Sequence, residues 1–239
     1  MNTESPKISI ITVVFNGAKT IEETIKSVIA QNCKECEYII IDGGSTDGTL
    51  DIIKKYNQHI SFWKSEPDKG IYNAMNKGII QAYGEYIYFL GADDVFYDDK
   101  VLEKILPILI DNTVYYGNVV FKNRNIVYDG KFSSYKLATR NISHQSIFYP
   151  KHVLIKNKFK EIYNIFADYE LNIRLYCNYQ FKYVPIIIAL FDDSGASGSN
   201  TLDINFEKNR LRIIKKYFSS YVFIYRKFRS YIVKKIRHE

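Results

Sequence analysis

The chain has 239 residues, a length that suits one domain or one compact domain with a short appendage. Hydrophobic residues make up 46% and charged residues 25%, which excludes a disordered chain, and no apolar run approaches the ~20 residues needed to span a bilayer. The net charge of +7 is uneven: residues 208–239 carry eleven Lys or Arg and one Glu, so the rest of the chain is slightly acidic and the basicity belongs to the tail.

The opening MNTESPK has no basic segment followed by an apolar stretch, so no secretory leader is expected and the cytosol is the expected compartment. Cys33 and Cys36 form a C-x-x-C, a spacing used by redox pairs and by zinc half-sites. No second such pair or histidine pair completes a zinc site, and reduced thiols are expected.

Residues 7–15 (KISIITVVF) are β-branched and almost wholly apolar, the pattern of a strand buried on both faces of a parallel sheet. Thr20-Ile-Glu-Glu23 reads as a capping box opening a helix in which Ile21, Ile25, Val28 and Ile29 keep helical spacing. A second strand at 37–42 ends in the turn GGSTDG and a short helix. A third at 60–65 runs into SEPDKG and a helix over about 71–82. A fourth at 85–90 stops in GADD. Repeated strand-then-helix units predict a doubly wound α/β sheet, in which ligands sit beyond the carboxyl ends of the strands. Asn16, Asp42, Asp68 and the Asp93-Asp94 pair fall at or just past those ends, which marks one edge as a site. Beyond residue 112 come short tyrosine-rich strands (114–121, 125–132, 143–149), a helix near 168–178, a strand at 182–191 and a Gly/Ser loop, DDSGASGSN, at 192–200.

Two adjacent carboxylates repel one another, so Asp93-Asp94 favours a bound cation, and hard oxygen ligands suit Mg²⁺ or Mn²⁺. An Asp before a helix is also a common N-cap, and the pair by itself fits both readings.

The segments VVFN, IIIDGGSTDGT (39–49), SEPDKGIYNAMNKGI (65–79), FLGADD (89–94) and ADYEL (167–171), in this order, resemble family 2 inverting glycosyltransferases of the GT-A fold. The likeness covers roughly residues 7–200 and is nearest to enzymes that build bacterial O-antigen, capsule and exopolysaccharide chains. It implies a nucleotide-sugar-binding half at about 1–117, an acceptor half at 118–200, and a UDP-sugar donor. It also implies that Phe15 and Asp42 lie against the nucleobase, that Asn16 and Asp68 belong to the donor site, and that Asp93 is the main metal ligand, supported by Asp94. Asp168 is the implied catalytic base, with Glu170 as runner-up. His144 and Gln145 in SHQSIFY are candidate donor or acceptor contacts, as are Gly195 and Ser197 in a loop that could close as a lid. The turn and cap chemistry of Asp residues is the alternative for Asp42, Asp68 and Asp168. Gly91 stands where many relatives have the first acid of D-x-D, Met75 where many have an Arg, and Ala167 where an acid often precedes the base.

From Leu211 to Ile236 apolar residues recur every three or four positions among Lys and Arg, which predicts a basic amphipathic helical tail over 201–239. Its aromatic content suits an anionic membrane surface through residues 208–239, with docking on the domain itself or on a second subunit as the alternative. No nucleic-acid motif accompanies the basic patch. The resemblance favours transfer to a lipid-linked saccharide at the inner face of the cytoplasmic membrane. A non-catalytic nucleotide-sugar-binding or adaptor protein, and a sugar nucleotidyltransferase, are the alternatives. The nucleotidyltransferase would need a Gly-rich phosphate loop after the first strand, where FNGAKT supplies one Gly.

Overall fold

The computed structural model describes residues 5–110, 112–192 and 202–236. Four parallel strands form its first half: β1 (Ile8–Val14), β2 (Cys36–Asp42), β3 (Phe62–Ser65) and β4 (Tyr86–Phe89), with β1 between β2 and β4. The crossovers contain α1 (Ile21–Ala30), α2 (Thr49–Lys55) and α3 (Ile71–Gln81). The strands are apolar at consecutive positions because helices cover both faces. Ile8, Ile10 and Val14 of β1 pack in one core with Ile21 and Ile25 of α1, whereas Ile11 packs in the opposite core with Met75 and Ile79 of α3. The α3 approach is close: a Cβ on Gly78 would lie 2.6 Å from Ile11 Cγ2.

The sheet continues through β8 (Ile147–Pro150), antiparallel to β4, then β6 (Val114–Phe121), then β9 (Phe181–Phe191), which runs parallel to β6. Short β5 (Val95–Phe96) closes the far edge on β9, and β7 (Ile126–Tyr128) forms a hairpin with β6. The result among the described residues is one nine-stranded sheet in the order β3-β2-β1-β4-β8-β6-β9-β5, with β7 beside β6. It is the expected α/β architecture, a parallel half continued by a mixed one. Helices α4 (Val101–Ile105), α5 (Ser134–Leu137), α6 (Lys151–Lys156) and α7 (Ala167–Tyr176) complete this part of the chain.

The tail forms two helices, α8 (Ile204–Tyr217) and α9 (Ser220–Ile236), where the periodicity predicts one. Phe218 leaves the helical region with ψ 164°, which breaks the hydrogen-bond ladder between them. α8 is docked: Phe206, Ile213 and Ile214 are buried in the core, and the Phe206 ring centroid lies 5.2 Å from those of Tyr169 and Phe166. Truncating so well buried an aromatic side chain costs about 3–5 kcal/mol. α9 returns along α8 and buries Val222, with Tyr225 edge-on to Tyr135 of α5. No helix among the described residues is long and apolar enough to cross a membrane.

Two local expectations are corrected. The capping box does not form: Thr20 precedes α1 with ψ −34°, its hydroxyl turns back to the Gly17 carbonyl at 3.4 Å, and no side-chain cap bond is made. Cys33 and Cys36 are joined in a disulfide, not reduced, because the turn between α1 and β2 brings their Cα atoms to 5.4 Å.

Candidate active site

The carboxyl ends of β1, β2 and β4 build the first part of the site. The turn after β1 exposes Phe15 and holds Asn16 in the left-handed region at φ 53°, which Asn tolerates better than most residues. Asn16 then ties two loops together. Its backbone N–H donates to Ser45 Oγ at 2.7 Å, and its side-chain oxygen accepts from Thr46 N at 2.9 Å. At the end of β2, buried Asp42 organises the GGS turn: its Oδ2 accepts from Gly44 N, Ser45 N and Ser65 Oγ. The turn reading of Asp42 therefore holds, yet Oδ1 is buried without a hydrogen-bond partner. A buried acceptor left unpaired costs roughly 1–3 kcal/mol. Asp68 is paired with Lys77 at 2.6 Å and lies against Gly43, as does Phe15.

Asp93 and Asp94 follow β4. Neither caps a helix, since α4 begins at Val101 behind Lys100. Asp94 is buried, and burial together with the neighbouring Asp93 charge pushes its carboxyl up to about 7. Burial also raises the Asp93 carboxyl. Asp94 is fixed by Gln145 Nε2 on Oδ2 and by Asp192 N on Oδ1, both at 2.8 Å. Among the described residues neither carboxylate pairs with a Lys or Arg, and a divalent cation would relieve that uncompensated charge. The pair, with open positions left for ligand oxygens, fits Mg²⁺ or Mn²⁺. Among the described residues no cluster of three or more His, Cys, Asp or Glu includes the pair.

Gly91 is more than a missing acid. A Cβ there would stand 2.4 Å from Asp94 Oδ2 and 3.0 Å from Asp93 Oδ1, so the present carboxylate arrangement requires glycine.

A cavity of about 270 Å³ joins Phe15, Asn16, Met75, Gly91, Asp93 and Asp94. Asp42 and Asp68 are outside its wall, grouped around Gly43 beside Phe15. A second cavity of about 370 Å³ holds Asp168 and a set of aromatic side chains, and the two share His144, Gln145 and Phe191.

Asp168 lies in the first turn of α7, one residue inside the start of the helix, so it is not the N-cap. Three donors hold it, Tyr169 N at 2.7 Å on Oδ1 and Asn141 Nδ2 at 2.8 Å and His144 Nδ1 at 3.3 Å on Oδ2, while the Tyr72 hydroxyl lies 3.1 Å from Oδ1 and shares its single proton with the Ile165 carbonyl. Asn141 is itself oriented by Asn172, which accepts from Tyr149 OH. Burial works to lower the His144 pKa, but the hydrogen bond and charge of Asp168, with the charges of Asp94 and Asp93, raise it above 6.5. Glu170 is fully buried and paired with Lys160 and Arg174, facing away from the cavity, which makes it a structural carboxylate.

The structure thus gathers Phe15, Asn16, Asp93, Asp94, His144 and Gln145 at one cavity and Asp168 beside it. Gly195 and Ser197, with the rest of the 193–200 loop, lie outside the described residues. Tyr72, Asn141 and Asp192 are contacts that sequence reasoning missed. Tyr72 stands inside a quoted motif, but Asn141 carries no pattern of its own.

Residues 9–171 match the model of the glycosyl transferase family 2 family. The chain is 30% identical over 214 residues to a "PGL/p-HBAD biosynthesis glycosyltransferase" of Mycobacterium bovis, covering 85% of this chain and 84% of that protein. It is also similar to an uncharacterised glycosyltransferase of Mycobacterium tuberculosis, 38% identical over 108 residues, covering 45% of this chain and 41% of the other. Among solved structures it resembles S. aureus TarS 1–349 in complex with UDP-GlcNAc, with TM-score 0.74 and 19% identity over 87% of this chain. The mannosyltransferase PcManGT from Pyrobaculum calidifontis, in complex with GDP-Man and Mn²⁺, gives TM-score 0.64 and 18% identity over 89% of this chain. The chain spans 65% of the TarS chain and 63% of PcManGT. The shared sheet is that of the GT-A fold, and the chain belongs to glycosyl transferase family 2.

Proposed function

We propose that this chain is an inverting glycosyltransferase that moves a hexose or N-acetylhexosamine from a UDP-sugar to a lipid-linked saccharide during bacterial surface polysaccharide synthesis. The observation that carries the proposal is the meeting of the two cavities at His144 and Gln145, with a carboxylate pair on one side and an isolated, oriented carboxylate on the other. That is the layout a single displacement needs: leaving group and nucleophile on opposite sides of one reacting carbon.

Residues 1–117 form the donor half in this reading, with Phe15 flanking the base and Asp42 Oδ1 accepting from its ring N–H. Asn16 shapes the loop beneath the nucleotide, and Asp68 borders the base or ribose. The UDP-GlcNAc held by TarS supports a uridine donor, as does the unpaired Asp42 oxygen. Asp93, supported by Asp94, would hold Mg²⁺ or Mn²⁺, which when bound supplies Lewis-acid neutralisation of the departing diphosphate. Gln145 keeps Asp94 aimed at the cavity.

Residues 118–200 form the acceptor half. Asp168 accepts the proton of the acceptor hydroxyl as that oxygen attacks the anomeric carbon. Oδ2 already accepts from Asn141 and His144, and His144 makes the longer contact, so the acceptor hydroxyl reaches Oδ2 by replacing His144. The tail, 201–239, docks through α8 and presents α9 to an anionic membrane at the inner face. On the outward side of α9, Tyr221, Ile224, Phe228 and Tyr231 are exposed at helical spacing. The glycolipid-pathway name of the mycobacterial relative supports an acceptor of lipid character.

Asp168→Asn tests the assignment. Release of UDP from donor and acceptor should fall by about 10²-fold or more, with UDP affinity unchanged. A parallel loss of UDP affinity would put Asp168 in the donor site instead.

A further inference from the structure

The oxygen of Asp168 on the cleft side is already occupied. Oδ1 is turned to Tyr169 N and toward the hydroxyl of Tyr72, a buried side chain outside the cavity wall. Oδ2 is the oxygen on the cleft side, since both of its partners, Asn141 and His144, line the cavity of about 370 Å³. An ionised carboxylate only accepts, so Nδ1 of His144 carries the proton it shares with Oδ2. Each carboxylate oxygen offers about two lone-pair sites, and with both taken on Oδ2 a water in the cleft finds none to receive its proton.

The two donors on Oδ2 are unequal. Asn141 Nδ2 is 2.8 Å away, and its side-chain oxygen accepts from Asn172, which is fixed in turn by the Tyr149 hydroxyl at 2.7 Å and the Ile142 carbonyl at 3.2 Å. His144 Nδ1 is 3.3 Å away, beyond the usual N–H···O range of about 2.7–3.2 Å, and this is the one side-chain hydrogen bond His144 makes among the described residues. His144 opens the single 3₁₀ turn His144–Ser146. Its ring lines the donor cavity as well as the cleft, so it has space to turn into when it leaves Asp168.

Displacing His144 takes more than a water supplies. A water brings one hydrogen bond to Oδ2. An acceptor also buries its body against the cavity wall, where Phe121, Tyr128, Phe166 and Phe191 are only half-buried. Contacts remote from the reacting atoms can drive a rearrangement at the reacting centre. A charge-assisted O–H···O bond of about 2.5–2.7 Å then replaces the longer one.

We propose that His144 determines specificity for the acceptor over water: it caps Asp168 until a bound acceptor displaces it. This rests on the reading of Asp168 as the base and of the cavity of Asp93 and Asp94 as the donor site. Without the cap, water takes the acceptor's place. Its oxygen bonds to the anomeric carbon, and the bond from that carbon to the diphosphate oxygen breaks with its electron pair leaving on UDP. The water proton passes to Asp168 Oδ2. The products are UDP and a free sugar inverted at the anomeric carbon. The cap thus protects the donor from hydrolysis while the acceptor cleft is empty.

The test uses the full chain with Mn²⁺ and no acceptor. Calorimetry with UDP-glucose, UDP-galactose, UDP-N-acetylglucosamine and UDP-N-acetylgalactosamine identifies those that bind, and UDP release from them is then timed. His144→Ala should release UDP about tenfold faster than wild type, a part of what a positioned general base contributes. His144→Asn, whose amide N–H can stand where Nδ1 does, should lose most of that gain. Adding Asp168→Asn to His144→Ala should abolish it. A merely structural role for His144 moves none of these in that direction. Release no faster in His144→Ala, a gain that survives Asp168→Asn, or an equal gain in His144→Asn overturns the proposal. If wild type binds none of the four, the donor reading falls and the proposal with it, a result distinct from binding without a gain.

Discussion

His144 Nδ1 lies 3.3 Å from Asp168 Oδ2 while the same imidazole lines the cavity of Asp93 and Asp94, so one side chain joins the two halves of the site. The pair is well shielded, with side-chain exposures of 14% and 10%, and Asp168 raises the His144 pKa against the opposing effect of burial. A raised histidine pKa adds stability that is complete below the unfolded value of about 6.5 and disappears as pH climbs through the folded value. The melting-temperature difference between wild type and His144→Ala should therefore be larger at pH 5.5 than at pH 8.5. A difference that grows toward alkaline pH would show that His144 is neutral beside Asp168.

Asp42 presents an unpaired Oδ1 next to Phe15 and Gly43 while Oδ2 holds the turn. Asp42→Asn keeps one oxygen for the turn and removes the charge. A charged hydrogen bond is worth about 1.5–3 kcal/mol, so UDP should bind roughly ten- to a hundredfold more weakly by calorimetry. Unaltered UDP affinity would confine Asp42 to the turn.

Gly91→Asp would recreate the first acid of the family's D-x-D. Because a Cβ at this position meets Asp94 Oδ2 at 2.4 Å, the substitution should displace Asp94 from Gln145 and lower metal-dependent UDP affinity, not raise it. Tighter binding in the variant would mean that the strand end relaxes freely around a larger residue.

The outward face of α9 is separable from the docked one. Tyr221, Phe228 and Tyr231 are 63–79% exposed, whereas Val222 is buried. Replacing the three aromatics with Ser should abolish sedimentation with anionic vesicles and leave the melting temperature within a few degrees, since surface changes shift stability by only about 0.5 kcal/mol each. Retained vesicle binding would assign that face to a protein contact.

The first half of the fold was legible because parallel strands covered on both faces leave an unbroken apolar signature, and β1 and β2 carry it within a residue of the expected bounds. The acids at the strand ends were legible for the same reason: the sheet's polarity puts its loops on one edge. The tail break was hidden because three- and four-residue spacing continues across Phe218, and only its extended backbone interrupts the helix. The support of Asp168 was hidden by distance along the chain, since Tyr72 is 96 residues away and Asn141 is 27. Neither residue type has a local reason to signal such a role. The disulfide was missed because the C-x-x-C spacing is equally that of a reduced pair, and only the turn geometry decides.

The most direct test of the account is thermal unfolding of the purified chain with UDP, GDP or dTDP, each with Mn²⁺ or with chelator. A ligand that binds only the folded state raises the melting temperature, by a stabilisation of about 2.7 kcal/mol at a hundredfold excess over Kd. The account predicts a UDP shift that needs Mn²⁺, is reduced in Asp42→Asn and is lost in Asp93→Ala. No shift with any nucleotide, in protein that unfolds cooperatively, would contradict it.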